Sequence, residues 1–485
     1  MKLKNKNVTV MGLGQHGGGE GLVRFLSKKG ANVLVTDLKN ENELQSTINH
    51  LSDLKNIKYY FGPHSWSNFK DADIVYLNPA VPKNSLWVKK IKKAKIPISS
   101  EMNLFFELCP ALIIGVTGSN GKSTTVHLIY EVLKSKFEPV FSLHQKTDAS
   151  LTNDRKKVYF GGNIGGSLLQ YIDEIKKDDI VLLELSSFQL YDLNQIKKSP
   201  HIGILLNITP DHMDQHSNIQ EYIEAKKNIF KYQSEFDFAI LNYDQNIIRK
   251  IAKSITSQKL FFSLDTKLVR GAYLDENQII VNFRGKKHKI IKSNKLKIKG
   301  EHNIQNALPA VLIGVLYGID DKKIAGSISN FRGLEHRIEF VNKFKGVKYY
   351  NDSKSTTPES TIAALKSFEK PIILICGGKD KKIDYKKLAN LISKKVKNVY
   401  LIGETAPLLK KEIDMANKEL GNSIEAEIAH TLEYAFEKAK KSAQKGDIIL
   451  FSPATSSFDQ FQNFEERGKK FKKLASGKKY NGKKI

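Results

Sequence analysis

The sequence is poor in cysteine, short of acid relative to base, and without a long apolar run. Two cysteines in 485 residues, Cys109 and Cys376, exclude a disulfide framework and point to a reducing compartment. No stretch approaches the roughly 18 apolar residues that a spanning helix needs, so no membrane insertion is expected. The basic start Met1-Lys2-Leu3-Lys4 leads into an apolar run of only Val8 to Leu13, which contains one glycine and is followed by more. That reads as a first strand rather than a secretion signal. The expectation is a soluble, cytoplasmic monomer. The shortage of acid leaves a net charge of +27, from 78 Lys+Arg against 51 Asp+Glu. Such a charge attracts anions, nucleic acid among them. The lysines are scattered, however, and the dense runs at 381–382, 394–395 and 469–473 look like solvated helix faces. No nucleic-acid partner is expected.

What is present is the pattern of an α/β protein. Forty per cent of residues are hydrophobic, enough for ordinary cores, and the length suits about three domains. Short apolar strands alternate with longer helical stretches, which argues for mainly parallel sheets. Three strand–glycine-turn–helix units stand out, beginning at Asn7, Ala111 and Pro371. Boundaries fall near 110, at Cys109-Pro110, and near 333, after Phe331-Arg332.

The second unit carries a phosphate loop. After Ala111-Leu112-Ile113-Ile114 comes Thr117-Gly118-Ser119-Asn120-Gly121-Lys122-Ser123-Thr124, then an apolar helix face at Val126, Ile129, Val132 and Leu133. A glycine turn at a helix N-terminus presents backbone N–H groups to phosphate. Lys122 would reach the terminal phosphates of ATP, and the Ser123 hydroxyl would hold Mg²⁺. The usual G-x-x-x-x-G-K-[ST] pattern is not met, because Val116 stands where its first glycine belongs. A chance glycine–serine turn is the alternative, and the flanking strand and helix weigh against it.

Three further features bear on chemistry. The run from Asp179 to Leu183 reads as a buried strand, and Glu184 ends it. A carboxylate at a strand's C-terminal end suits Mg²⁺, or else caps the next helix. The stretch Asn207-Ile208-Thr209-Pro210-Asp211-His212-Met213-Asp214-Gln215-His216 is a metal site or a polar loop. Downstream, Ile219, Tyr222, Ile223, Ile229 and Phe230 share one helix face, and Lys226 falls in the middle of it. Lysine is rarely buried without a reason. Burial lowers its pKa, and a neutral amine adds CO₂ to give a carbamate, an anionic oxygen ligand. A lysine that snorkels to the rim is the alternative. In the first unit, Gly12-Leu13-Gly14-Gln15-His16-Gly17 and Asp37 read by themselves as a dinucleotide site.

The variant phosphate loop resembles that of the Mur ligase family, which includes folylpolyglutamate synthetases and makes amide bonds through an acyl-phosphate. Glu184-Leu185-Ser186-Ser187-Phe188-Gln189-Leu190 and the closing Pro453 to Gly468 segment are similar to the D-glutamate-adding branch. The resemblance runs in order through nearly the whole chain. It implies a UDP-substrate-binding Rossmann-like domain (1–110), a central P-loop-like ATP-binding domain (111–333) and a C-terminal Rossmann-like glutamate-binding domain (334–485). It implies ATP-dependent addition of D-glutamate to UDP-N-acetylmuramoyl-L-alanine in peptidoglycan synthesis. Gly118, Ser119, Asn120, Gly121, Lys122, Ser123 and Thr124 would hold ATP, with Asn306 at the base, Arg337 nearby and Asp352 on the ribose. Ser123, Glu184, His212 and a carbamylated Lys226 would serve two Mg²⁺ ions. Gly14, Gln15, Asp37, Asn163 and Ser186 would hold the UDP substrate. Thr356, Lys381, Ser457 and Phe464 would bind glutamate, with Lys379 the rival to Lys381. The stretch from His16 to Gly21 is richer in glycine than that branch leads one to expect. A related ligase using L-glutamate or a folate-type acceptor is the nearest rival. A nucleotide-regulated nucleic-acid binder is more distant, because charge explains none of Glu184, His212 and Lys226.

Overall fold

A computed structural model describes residues 3–14, 18–141, 155–163, 166–209, 218–298, 300–380 and 383–477. They form two compact units, one of residues 1–296 and 302–330, the other of 297–301 and 331–485. Each is mainly parallel α/β, as the alternation of apolar runs and helical stretches requires. Among the described residues no helix is long and apolar enough to cross a membrane.

The first unit holds two sheets. One comprises β1 (Asn7–Met11), β2 (Asn32–Asp37), β3 (Ile57–Phe61), β4 (Ile74–Leu77) and β5 (Ile98–Ser99), in the order β3-β2-β1-β4-β5. All its pairs are parallel. The order in which strands are added reverses beside β1, and the glycine turn follows that strand, at the switch point where such sheets bind ligands.

The second sheet has ten strands. They are β6 (Leu112–Thr117), β7 (Glu138–Phe141), β8 (Lys157–Gly162), β9 (Ile180–Glu184), β10 (Ile202–Leu205), β11 (Phe238–Asn242), β12 (Gln258–Ser263), β13 (Gly271–Asp275), β14 (Gln278–Phe283) and β15 (Lys286–Lys292). The order is β15-β14-β13-β12-β11-β10-β6-β9-β8-β7, with only the β13-β14-β15 meander antiparallel. β6 lies between β9 and β10, in register so that Val116 faces Glu184 and Thr117 faces Leu205. Strands buried on both faces are near-continuous apolar runs, and β9 and β10 are buried throughout.

The two sheets share one apolar cluster. Leu104, Phe105 and Phe106, from the helix Glu101–Leu108, pack in it with Leu190 and Leu193 from the helix Ser187–Leu193. Polar ties cross the same seam. Lys83 pairs with Asp192 at 2.7 Å, and Ser167 Oγ donates to Glu101 at 2.6 Å.

The second unit opens with a hairpin of β16 (Glu339–Phe344) and β17 (Val347–Asn351). It continues through β18 (Ile372–Gly377), β19 (Val396–Ile402), β20 (Glu425–His430) and β21 (Ile448–Phe451), in the order β16-β17-β21-β18-β19-β20. The third glycine unit of the sequence therefore lies inside its sheet, at β18. Ile114, at the centre of the ten-stranded sheet, is fully buried. Ile114→Ala is expected to cost about 2–5 kcal/mol in denaturant unfolding. A loss below about 1 kcal/mol would contradict this placement.

Candidate active site

The phosphate loop leaves β6 at Thr117 and enters the helix Lys122–Leu133 through Gly121, whose backbone is left-handed at φ +83°. A side chain here is excluded twice over. L residues rarely adopt that φ, and a Cβ would stand 2.2 Å from Asn306 Oδ1. Asn306, in the helix Glu301–Leu316, thus packs directly on the turn, and its Oδ1 also lies 3.4 Å from Thr125 Oγ1. Lys122 folds back onto the loop, its Nζ donating to Gly118 O at 2.7 Å and Ser119 O at 2.9 Å. Ser123 and Thr124 are buried in the first helical turn.

Lys226 lies on the buried face of the helix Ile219–Lys231 and is only 2% exposed. Its Nζ donates to Gly118 O at 3.0 Å and lies 4.5 Å from the centre of the Tyr222 ring. Two lysine nitrogens therefore converge on one loop carbonyl. Glu184, 2% exposed, ends β9 one strand away. Its Oε1 accepts from Asn163 Nδ2 at 3.1 Å. Its Oε2 is buried with no hydrogen-bond partner among the described residues. A buried carboxylate oxygen left open in this way costs free energy unless a cation or donor meets it, so the donor set fits a hard divalent ion. Ser186 caps the next helix, in a reciprocal capping box with Gln189. The cap belongs to Ser186, which leaves the open oxygen of Glu184 without that duty.

In the five-stranded sheet, Asp37 Oδ2 accepts from Leu13 N at 2.8 Å and Gly14 N at 3.3 Å. Its Oδ1 accepts from Lys39 N at 3.0 Å. Asp37 thus braces the glycine turn from within. Gln15, His212 and Lys381 lie outside the described residues.

The second unit gathers its own candidates. Asp352 is 1% exposed; it accepts from Ile338 N at 3.1 Å and Ser452 Oγ at 2.7 Å. Burial pushes its carboxyl up to about 6, against hydrogen bonds from Ser355 and Ser452 and the charge of Arg337. Ser457 is buried, and Phe464 opens the helix Phe464–Ala475, its carbonyl accepting from Ser353 Oγ at 2.8 Å. Thr356 follows directly on the segment 352–355, half-buried. Lys379 is tied by its ammonium to Glu404 at 2.8 Å.

Sequence reasoning missed the group that holds these loops. Arg467, 1% exposed, donates to Ser353 O (2.9 Å), Ser353 Oγ (3.1 Å), Thr455 O (3.1 Å) and Ser456 O (3.1 Å). Burial brings its pKa down to about 10. His336 was also missed. Its Nδ1 meets Asn351 Nδ2 at 2.8 Å, and Lys472 bridges the flanking Glu335 and Glu339 at 2.9 and 2.6 Å. Tyr222 shared the apolar stripe with Lys226, and nothing in the pattern marked its hydroxyl, which lies 2.9 Å from Ser119 Oγ.

The raised pKa of Asp352 has a sign. A carboxyl that holds its proton more tightly when folded favours the fold at low pH, and that contribution is lost as pH rises through about 6. Asp352→Asn keeps an acceptor for Ile338 N and removes the buried charge. Its melting temperature should exceed the wild type's by a margin that widens from pH 4.5 to 8, to about 1–3 kcal/mol of stability. A margin independent of pH would contradict the assignment.

Three family models match successive stretches of the chain. Residues 6–100 match the family model for the Mur ligase MurD-like N-terminal domain, 116–314 the Mur ligase middle domain, and 336–455 the Mur ligase glutamate ligase domain. A protein of Acetivibrio thermocellus named UDP-N-acetylmuramoylalanine–D-glutamate ligase is 39% identical over 98% of this chain and 97% of its own length. One of the same name from Clostridium tetani is 38% identical over 97% and 96%. Among solved structures, the UDP-N-acetylmuramate–alanine ligase of Thermotoga maritima superposes with a TM-score of 0.60 at 18% identity, covering 98% of this chain and 100% of that one. The MurF ligase of the same organism, in complex with ADP, gives 0.55 at 17%, covering 98% and 96%. At such identities the likeness is one of fold.

Proposed function

This chain belongs to the Mur ligase family, and from that premise we propose that it joins D-glutamate to UDP-N-acetylmuramoyl-L-alanine with ATP, in cytoplasmic peptidoglycan synthesis. The observation that carries the substrate is the near-complete alignment with relatives named for that reaction. What supports the chemistry is the meeting of the phosphate loop, Glu184 and Lys226 around the end of β6. The reading keeps three functional domains, 1–110, 111–333 and 334–485, and a monomer that takes small-molecule substrates only.

The alanine carboxylate attacks the γ-phosphorus of ATP, and ADP leaves. The glutamate amine then attacks the acyl-phosphate carbon, the carbon–oxygen bond breaks, and phosphate leaves with one former carboxylate oxygen while the nitrogen gives up a proton to solvent. Two Mg²⁺ ions, when bound, offset the charge of the transferring phosphoryl group. Ser123, Glu184, His212 and Lys226 as a carbamate would hold them. Lys122 would swing from the loop carbonyls to the phosphates, while 118–124 and Asn306 hold the nucleotide. Gly14, Gln15 and Asp37 would hold the UDP end of the substrate, and Asn163 and Ser186 would contact the acceptor. Arg337 and Asp352 serve ATP, and Thr356, Lys381, Ser457 and Phe464 orient glutamate. The protein's contribution is positioning and electrostatics.

Purified protein with MgATP, UDP-N-acetylmuramoyl-L-alanine and D-glutamate should release ADP and form the amide. ADP release only with L-glutamate or with a folate-type acceptor would overturn the reading in favour of that rival. Lys226→Ala should lose roughly 10²-fold or more in kcat, since it removes a ligand of the Mg²⁺ that would offset charge on the transferring group. Added formate or acetate should restore part of it by filling the carbamate's place. Unaltered activity in Lys226→Ala would remove the carbamate.

A further inference from the structure

The two halves of the phosphate loop differ in what their backbone is bonded to. Residues 118–120 lie along the segment 206–209. Leu206 N donates to Thr117 O at 2.9 Å and Ser119 N to Asn207 O at 3.0 Å, which carries the β6–β10 pairing past the strand ends. The Asn207 side chain then brackets Asn120. Its Oδ1 accepts from Asn120 N at 2.8 Å, and its Nδ2 donates to Asn120 O at 3.0 Å. Ser119 Oγ donates to Thr209 O and accepts from Thr209 N, each at 2.9 Å. The segment is anchored from behind as well. Asn242 Nδ2 donates to Leu206 O at 2.8 Å, and Gln245 Oε1 accepts from Ile208 N at 2.9 Å. A Cβ on Gly118 would stand 2.9 Å from Leu206 Cβ, so only glycine lets the two segments close.

The second half is bonded differently. The helix opens at Gly121, and Thr125 N to Gly121 O, at 2.9 Å, is its first turn's return bond. Helix geometry leaves the N–H groups before Thr125 without intrahelical carbonyls, pointing out of the N-terminus. The N–H groups of Ser119 and Asn120, by contrast, are already committed to protein oxygens.

We propose that Asn207 is a positioning residue for the ATP half-reaction. It locks residues 118–120 as a clamp, so that the backbone N–H groups of Ser119 and Asn120, bonded to Asn207, are held out of the phosphate cradle. The proposal rests on reading the loop as an ATP site. A shift of the clamp would displace the cradle, and small displacements at a phosphoryl-transfer centre are costly.

The test is residue-resolved amide hydrogen exchange on the full chain, with and without MgADP. Ser119 and Asn120 should be protected before nucleotide is added and unchanged by it, while residues 121–124 should gain about tenfold or more in protection. Fast exchange at Ser119 and Asn120 that slows on adding MgADP would overturn the proposal. Asn207→Ala should weaken MgADP binding and raise KM for ATP by about tenfold, with KM for the UDP substrate within about twofold of wild type. Asn207→Asp, which keeps the acceptor for Asn120 N, should fall between Asn207→Ala and wild type in exchange at Asn120. Unchanged MgADP affinity in Asn207→Ala, or equal weakening of both substrates, would also overturn it. If wild-type protein binds no MgADP, the ATP reading itself fails, an outcome separate from these.

Discussion

The parallel register of β6 between β9 and β10 is the constraint on which the rest of the central site depends. It sets Val116 opposite Glu184 and Thr117 opposite Leu205. Three strands therefore end together. One releases the phosphate loop, one presents a buried acid, and one begins the segment that grips the loop. Parallel strands need long crossovers, so these three strand ends come from distant parts of the chain yet meet at one edge. A slip of one residue would turn each side chain to the opposite face. The Val116 that replaces the usual first glycine of a phosphate loop is a fully buried strand residue. The loop is shorter because the strand runs further, and segment 206–209 supplies the bracing.

A second theme is the burial of ionisable side chains. Glu184 keeps one oxygen open, Lys226 lies beneath the loop, and Asp352 is buried with a raised pKa. Each is costly in an apolar setting, and such groups cluster at functional sites. Arg467 differs. It has four hydrogen bonds, and the loops it joins carry Ser353, Thr455 and Ser456, next to the candidate glutamate contacts. A planar guanidinium is suited to such stapling, because one group reaches several carbonyls in fixed directions.

Much of the fold was legible because parallel buried strands are near-continuous apolar runs. The buried place of Lys226 was legible because helical periodicity is arithmetic. Glu184 was legible because it ends such a run. Other features were not. Asn207 reads as an ordinary loop asparagine, and its bracket on Asn120 appears only once β6 and β10 lie side by side. Asp37 ends a strand as expected, but its hold on the Leu13 and Gly14 amides depends on the three-dimensional turn. Ser119 reads as a phosphate contact by position, while its hydroxyl is taken up by Thr209. Arg467 was hidden because its partners are backbone carbonyls, which have no signature in sequence. The third glycine unit was recognised as a strand and turn, but its place inside the sheet follows from the hairpin that precedes it.

The central claim is that this site activates a carboxylate by phosphorylation before the amide forms. The most direct measurement uses UDP-N-acetylmuramoyl-L-alanine labelled with ¹⁸O in the alanine carboxylate, turned over with MgATP and D-glutamate. Mass analysis of the released phosphate should find one ¹⁸O atom per molecule, transferred when the carbon–oxygen bond of the acyl-phosphate breaks. Unlabelled phosphate accompanying amide formation would contradict the account.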